Sequence, residues 1–211
     1  GSRLSDGVGA NDFIENNIVA TLNVLKFAEK NNVDRIIMCS SMSIYGTIDA
    51  KIVDHTTPPV NPSPYGFSKF SAEKLASAYE NSVSCIALRL PGVIGKGAHD
   101  AFLPSALVKI KNNLPITIYN PDSPFNNLTH IEDLTRFISH LLSSGWVGFH
   151  AMPIATLENT SPRRAIEIMA DACGTEAKLE ITKSTNQSFC IDDSKARSMG
   201  YKSQITEENV L

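Results

Sequence analysis

Apolar residues recur along the first hundred positions in two alternating patterns. Between Asn11 and Asn31, Phe13, Ile14, Ile18, Leu22, Leu25 and Phe27 stand at helical spacing, and the polar stretch NNVD at 31–34 ends the helix they predict. RIIMCSS (35–41) and VSCIALRLP (83–91) are instead nearly continuous apolar runs, as expected of strands buried on both faces. Between them lie a loop containing TTPPVNPSP (56–64) and a helix predicted over 65–80. Helix, strand, helix, strand, with helices long enough to cross over, predicts a parallel sheet covered on both sides, an α/β fold. Beyond Gly97 the pattern loosens into predicted helices over 103–111, 131–142 and 161–173, a short strand ITIYN (116–120) and irregular segments, which suits a smaller, mixed α/β lobe.

Composition narrows the function class. Of 211 residues, 42% are hydrophobic and 19% charged, with a net charge of -3, a balance that suits a soluble globular protein of one or two domains. The slight acidity and the lack of a Lys/Arg run argue against a nucleic-acid partner. No apolar stretch approaches the roughly 20 residues of a membrane-crossing helix and no secretory leader pattern opens the chain, so no membrane partner and a cytoplasmic location are expected. Cys39, Cys85, Cys173 and Cys190 show no CxxC spacing, which gives neither a metal site nor a disulfide framework.

Ligands of an open parallel sheet sit at the carboxyl ends of its strands, and the serines closing RIIMCSS lie there. The next helix has a good N-cap in Ser63 and Pro64 at its first position, so Tyr65 falls in the first turn, and Tyr65 and Lys69 share one face. By itself such a pair is a partly buried tyrosine beside a solvated lysine; the serines that end the preceding strand make it a candidate site.

Five segments in order carry a resemblance that extends this reading: NNIVATLNVLKFAEKNNVDRIIMCSSMSIYG, SPYGFSKFSAEKL, LRLPGVIGKG, LTHIEDLTRFI and DDSKARSMGY. Together they resemble the extended short-chain dehydrogenase/reductases, the sugar-nucleotide epimerase and dehydratase group. The resemblance implies the C-terminal portion of a Rossmann-like parallel sheet with a smaller mixed α/β substrate lobe. Residues 1–97 are then an incomplete Rossmann domain carrying the catalytic motifs, and 98–211 mainly the substrate lobe, with 125–145 returning to the Rossmann domain. The glycine-rich dinucleotide turn of the family is not among these 211 residues, so the chain alone is expected to be inactive.

The resemblance also implies roles. Ser41, Tyr65 and Lys69 fall on the catalytic trio, Ser41 because it stands four residues before Tyr45. Asn16, Ser40, Tyr65, Lys69, Pro91 and Val93 fall on contacts to NAD or NADP, and Ser43, Lys96, Asn126 and His130 on contacts to a small-molecule substrate, a sugar nucleotide. A homodimer is implied as well. The reaction expected is epimerisation by transient hydride transfer; a ketoreductase would use the same trio once, and a non-catalytic scaffold is the alternative from another class.

Two departures from the family pattern bear on the substrate. Asn126 and Asn127 replace an Arg-Asp pair that clamps a diphosphate, so either Lys96, Lys109 or Arg163 substitutes or the substrate is a sugar that carries no nucleotide. Met42 and Ser43 stand where dehydratases carry acids, which speaks against dehydration. His130 is also expected to cap the helix that follows it, together with Asp133.

Overall fold

The computed structural model describes residues 9–98, 101–156, 160–183 and 187–204. The chain opens with a rod in three segments: α1 (Ala10–Phe13), a π-helical stretch (Ile14–Val19) and α2 (Ala20–Lys30). β1 (Arg35–Ser41) follows and runs into a 3-10 turn (Met42–Tyr45), then β2 (Ile52–Val53) and α3 (Pro64–Ala78). Next come β3 (Ser84–Leu90), β4 (Gly92–Ile94), α4 (Phe102–Lys111), β5 (Ile116–Tyr119), β6 (Leu128–His130) and α5 (Ile131–Ser143). The chain continues through β7 (Phe149–Pro153), α6 (Pro162–Ala172), β8 (Leu179–Thr182), β9 (Cys190–Ile191) and α7 (Ser194–Ser198).

The central sheet has the order β1-β3-β7, all parallel, with Ser40 beside Arg89 and Ser41 beside Leu90. β7 is not apparent in the sequence: FHAMP is short, holds a proline and mixes polar with apolar positions. Parallel strands need long crossovers, and the helices that supply them cover both faces. Leu25 and Ala28 of α2 and Ala76 of α3 pack with Cys85, Ile36 and Met38 on one side. Leu134, Phe137 and Leu141 of α5, Ala196 of α7 and Tyr201 pack with Ile86, Leu88 and Met152 on the other. The middle strand is thus enclosed, which its near-continuous apolar sequence requires.

A separate cluster forms between α4, α6 and the parallel pair β5-β8, around Leu103, Ala106, Ile110, Ile116, Ile118, Ile166 and Met169. Ile94 and Leu128, from the parallel pair β4-β6, belong to the same cluster. β3 passes directly through Pro91 into β4, so the carboxyl end of the sheet lies against this second cluster.

Candidate active site

α3 brings the tyrosine and the lysine to the end of β1. Ser63 caps it, accepting a hydrogen bond from the Gly66 amide at 3.2 Å, and Pro64 opens it. The helix starts unusually close to the 3-10 turn after β1: a Cβ on Gly66 would lie 2.0 Å from the Ser43 carbonyl oxygen. Glycine allows the approach that sets Tyr65 against Ser41. On the far side, the Tyr65 ring leans on Phe13, centroids 5.8 Å apart and 55° between planes, while the Ser68 hydroxyl bonds the Tyr65 carbonyl and accepts from Asn17 in the π-helical stretch.

Lys69, one turn on, donates to the Cys39 carbonyl at 2.9 Å, which hooks α3 to β1 beside the serines. Its ammonium is 6.0 Å from the Tyr65 ring centroid. Ser41 accepts from the Ser43 amide at 3.1 Å, so its hydroxyl proton stays available to a partner. Burial pushes the Tyr65 phenol above its ordinary pKa, while hydrogen bonding with Ser41 works the other way. Burial likewise lowers the pKa of the Lys69 ammonium.

These groups border a cavity of about 1360 Å³ between the sheet end and the second cluster. Ser40, Ser41, Ser43, Tyr65, Lys69, Pro91, Val93 and Lys96 all line it. Asn16 does not; it is exposed on the π-helical stretch, and its neighbour Asn17 is the residue tied to the α3 helix. Asn126 does not line the cavity either. Its amide is buried, donating to the Ile191 carbonyl at 2.9 Å and accepting from the Ile191 amide at 2.8 Å, and Asn127 borders the cavity instead. His130 caps α5 by accepting from the Glu132 amide at 3.3 Å, the structural role open to it. Gly95, at φ +121°, lies against it: a Cβ there would come within 2.9 Å of the His130 Nε2. Of the three cations weighed for a phosphate, Lys96 lines the cavity, Lys109 lies outside it on α4, and Arg163 is paired with Asp122 at 2.7 Å.

The arrangement suits one end of a nicotinamide dinucleotide. A hydroxyl, a phenol and an ammonium converge at the carboxyl edge of a parallel sheet, where the strand-to-loop passage 90–97 leaves room beside them. Among the described residues no group of His, Cys, Asp and Glu is placed to hold a metal ion, and no helix is long and apolar enough to cross a membrane.

The sequence and the fold both have counterparts among known proteins. The model of the NAD dependent epimerase/dehydratase family matches residues 5–151. The uncharacterized UDP-glucose epimerase YtcB of Bacillus subtilis is 25% identical over 186 residues, 86% of this chain and 58% of its own length. The dTDP-glucose 4,6-dehydratase of an Actinoplanes species is 24% identical over 94% of this chain and 64% of its own. The chain thus spans about six-tenths of these relatives. UDP-glucuronic acid 4-epimerase from Bacillus cereus, solved in complex with UDP-glucuronic acid and NAD, superposes over all of this chain and 69% of its own at a TM-score of 0.82 and 24% identity, which shows the shared Rossmann fold. Matched over most of its length, the chain belongs to the NAD dependent epimerase/dehydratase family.

Proposed function

We propose that the protein to which these residues belong is an NAD(P)-dependent epimerase of a sugar nucleotide, with Ser41, Tyr65 and Lys69 as its reacting groups. The observation that carries this reading is the convergence of the three side chains on one cavity at the end of β1. When bound, the nicotinamide supplies a hydride acceptor that later returns the hydride. Tyr65 takes the proton of the substrate hydroxyl as the carbon is oxidised and gives a proton back to the oxygen on reduction. Ser41 holds that oxygen within reach of the phenol, a positioning effect on a bimolecular proton transfer. Lys69 places a positive charge beside the phenol and, at the cavity wall, is the group to hold the ribose hydroxyls.

In this proposal residues 1–97 hold the cofactor side and 98–211 mainly the sugar nucleotide, with 125–145 joined to the cofactor side; the packing of α5 on the central sheet supports that division. Lys96 takes the diphosphate, since Asn126 is engaged by the Ile191 backbone. Epimerisation is preferred to dehydration because Met42 and Ser43, beside Ser41, offer no carboxyl to shuttle water. The test is Tyr65→Phe in the whole protein, assayed for interconversion of UDP-glucose or UDP-glucuronic acid. Turnover is expected to fall at least about a hundredfold with NAD binding little changed. Near-normal turnover would sink the assignment, and a product that has lost water would replace epimerase with dehydratase.

A further inference from the structure

Behind the three reacting side chains lies a buried polar network that their chemistry does not use. Glu73, one turn beyond Lys69 on α3, is 2% exposed. Its Oε1 accepts from the Ser40 hydroxyl at 2.5 Å and from Arg89 Nε at 3.2 Å, and its Oε2 accepts from Arg89 Nη2 at 2.9 Å. Arg89, itself 7% exposed, donates through Nη1 to the Tyr45 hydroxyl at 2.9 Å and to the His55 carbonyl at 3.1 Å. Tyr45 then donates to the Asp54 carbonyl at 2.6 Å. Ser40 precedes Ser41, and Tyr45 closes the 3-10 turn that follows it, so Ser41 is held from both sides.

We propose that the Glu73–Arg89 pair, with Ser40 and Tyr45, is a positioning device that sets the reach of the Ser41 hydroxyl to Tyr65. The proposal rests on the reading of Ser41 and Tyr65 as reacting groups. A buried ion pair contributes little net stability, because desolvation offsets the attraction and a well-packed apolar pair does as well. What such a pair adds is direction. Both carboxylate oxygens are engaged, one arginine spans the sheet and the turn, and the acid sits on the helix that carries Tyr65 and Lys69. A slip of β1 along α3 breaks several charge-assisted hydrogen bonds at once. The Ser40 hydroxyl is therefore a tether to Glu73, although Ser40 borders the cavity. Misplacing reacting groups by about 1 Å is enough to cost on the order of a hundredfold in rate, so a tether of this kind matters to chemistry without touching the substrate.

The test is carried out by NMR on the whole protein to which these residues belong, at neutral pH, with neither sugar nor cofactor added. It compares the unmodified chain with Ser40→Ala, which removes one hydroxyl and leaves the ion pair, and with Glu73→Gln. Two signals are read: the through-space cross-peak between the Tyr65 ring and Ser41, and the exchange protection of the Ser43 amide that bonds Ser41. Both are expected to be lost in the variants, while the cross-peak between Tyr65 and Phe13 and the protection of α5 amides persist. Should Glu73→Gln fail to fold, Ser40→Ala carries the test. An unchanged Ser41 cross-peak in folded Ser40→Ala overturns the proposal, and so does an equal loss of protection in α5, the mark of a merely structural role. An active Tyr65→Phe enzyme would defeat the functional reading without changing these signals, so the two failures are distinguishable.

Discussion

A methyl group on residue 66 would meet the Ser43 carbonyl oxygen at 2.0 Å, and neither backbone has room to yield without moving Tyr65 or Ser41. Gly66→Ala is therefore expected to cost about 1–3 kcal/mol of stability, read by urea denaturation, and to lower activity by more than that loss explains. Lys96 lines the cavity from outside the helix of Tyr65 and is the cation proposed for the diphosphate, so Lys96→Ala should weaken sugar-nucleotide binding about tenfold by calorimetry while leaving NAD binding unchanged, the scale of one lost charge-assisted hydrogen bond. At this scale the sequence was informative where geometry is local. Ser63, Pro64, Tyr65 and Lys69 follow from cap and spacing: Ser63 caps α3, Pro64 opens it, and Tyr65 and Lys69 stand one turn apart on it. Asn126 was not legible, because its role depends on Ile191, 65 residues away, whose amide and carbonyl it pairs.

Among elements, α3 and β3 are joined by a buried ion pair, Glu73 with Arg89. Arg89→Met leaves the Glu73 carboxylate buried without its counter-charge and is expected to destabilise the chain by about 3–5 kcal/mol in urea denaturation, with Glu73→Gln in the same chain recovering part of the loss. Long amphipathic or fully apolar segments were readable: β1 matches RIIMCSS, and α4, α5 and α6 fall within a residue of their expected ends. Hydrophobic spacing predicts one regular first helix, yet Ile14–Val19 is π-helical. The extra residue per turn is not written in hydrophobic spacing; it appears where Phe13 and Asn17 must both meet α3. β2 and β9, two residues each, carry too few positions for any period.

For the whole molecule, the buried weak acids set an alkaline limit. Burial pushes Cys85 up from 9.0 to about 11 and Tyr201, opposed by its bond with Thr129, up from 10.0 to about 12. A group whose folded pKa is raised holds its proton more tightly in the native state, so its contribution is whole below the unfolded value and is lost as pH rises through the folded one. Tm should thus be nearly flat toward pH 8 and fall between about pH 9 and 12, and Cys85→Ala should remove the lower part of that fall. The parallel order β1-β3-β7 and the two-sided cover were legible as a class, while the third strand was hidden by its brevity.

Tyr65, Lys69 and Glu73 stand four apart on one helix, and that spacing limits which lengths of chain can be tolerated there. One residue inserted between Lys69 and Glu73 turns the remainder of α3 by roughly 100° and carries the carboxylate away from Arg89 and Ser40. An insertion between Tyr65 and Lys69 separates phenol from ammonium by the same rotation. Point changes can erode this helix gradually, but a single insertion or deletion in it removes the alignment of Tyr65, Lys69 and Glu73 at once. The connection from Asp49 to Lys51 ahead of β2, exposed and outside the cavity wall, can change in length without moving any of them. Length variation in homologous chains should accordingly gather in such loops and stop at Ser63.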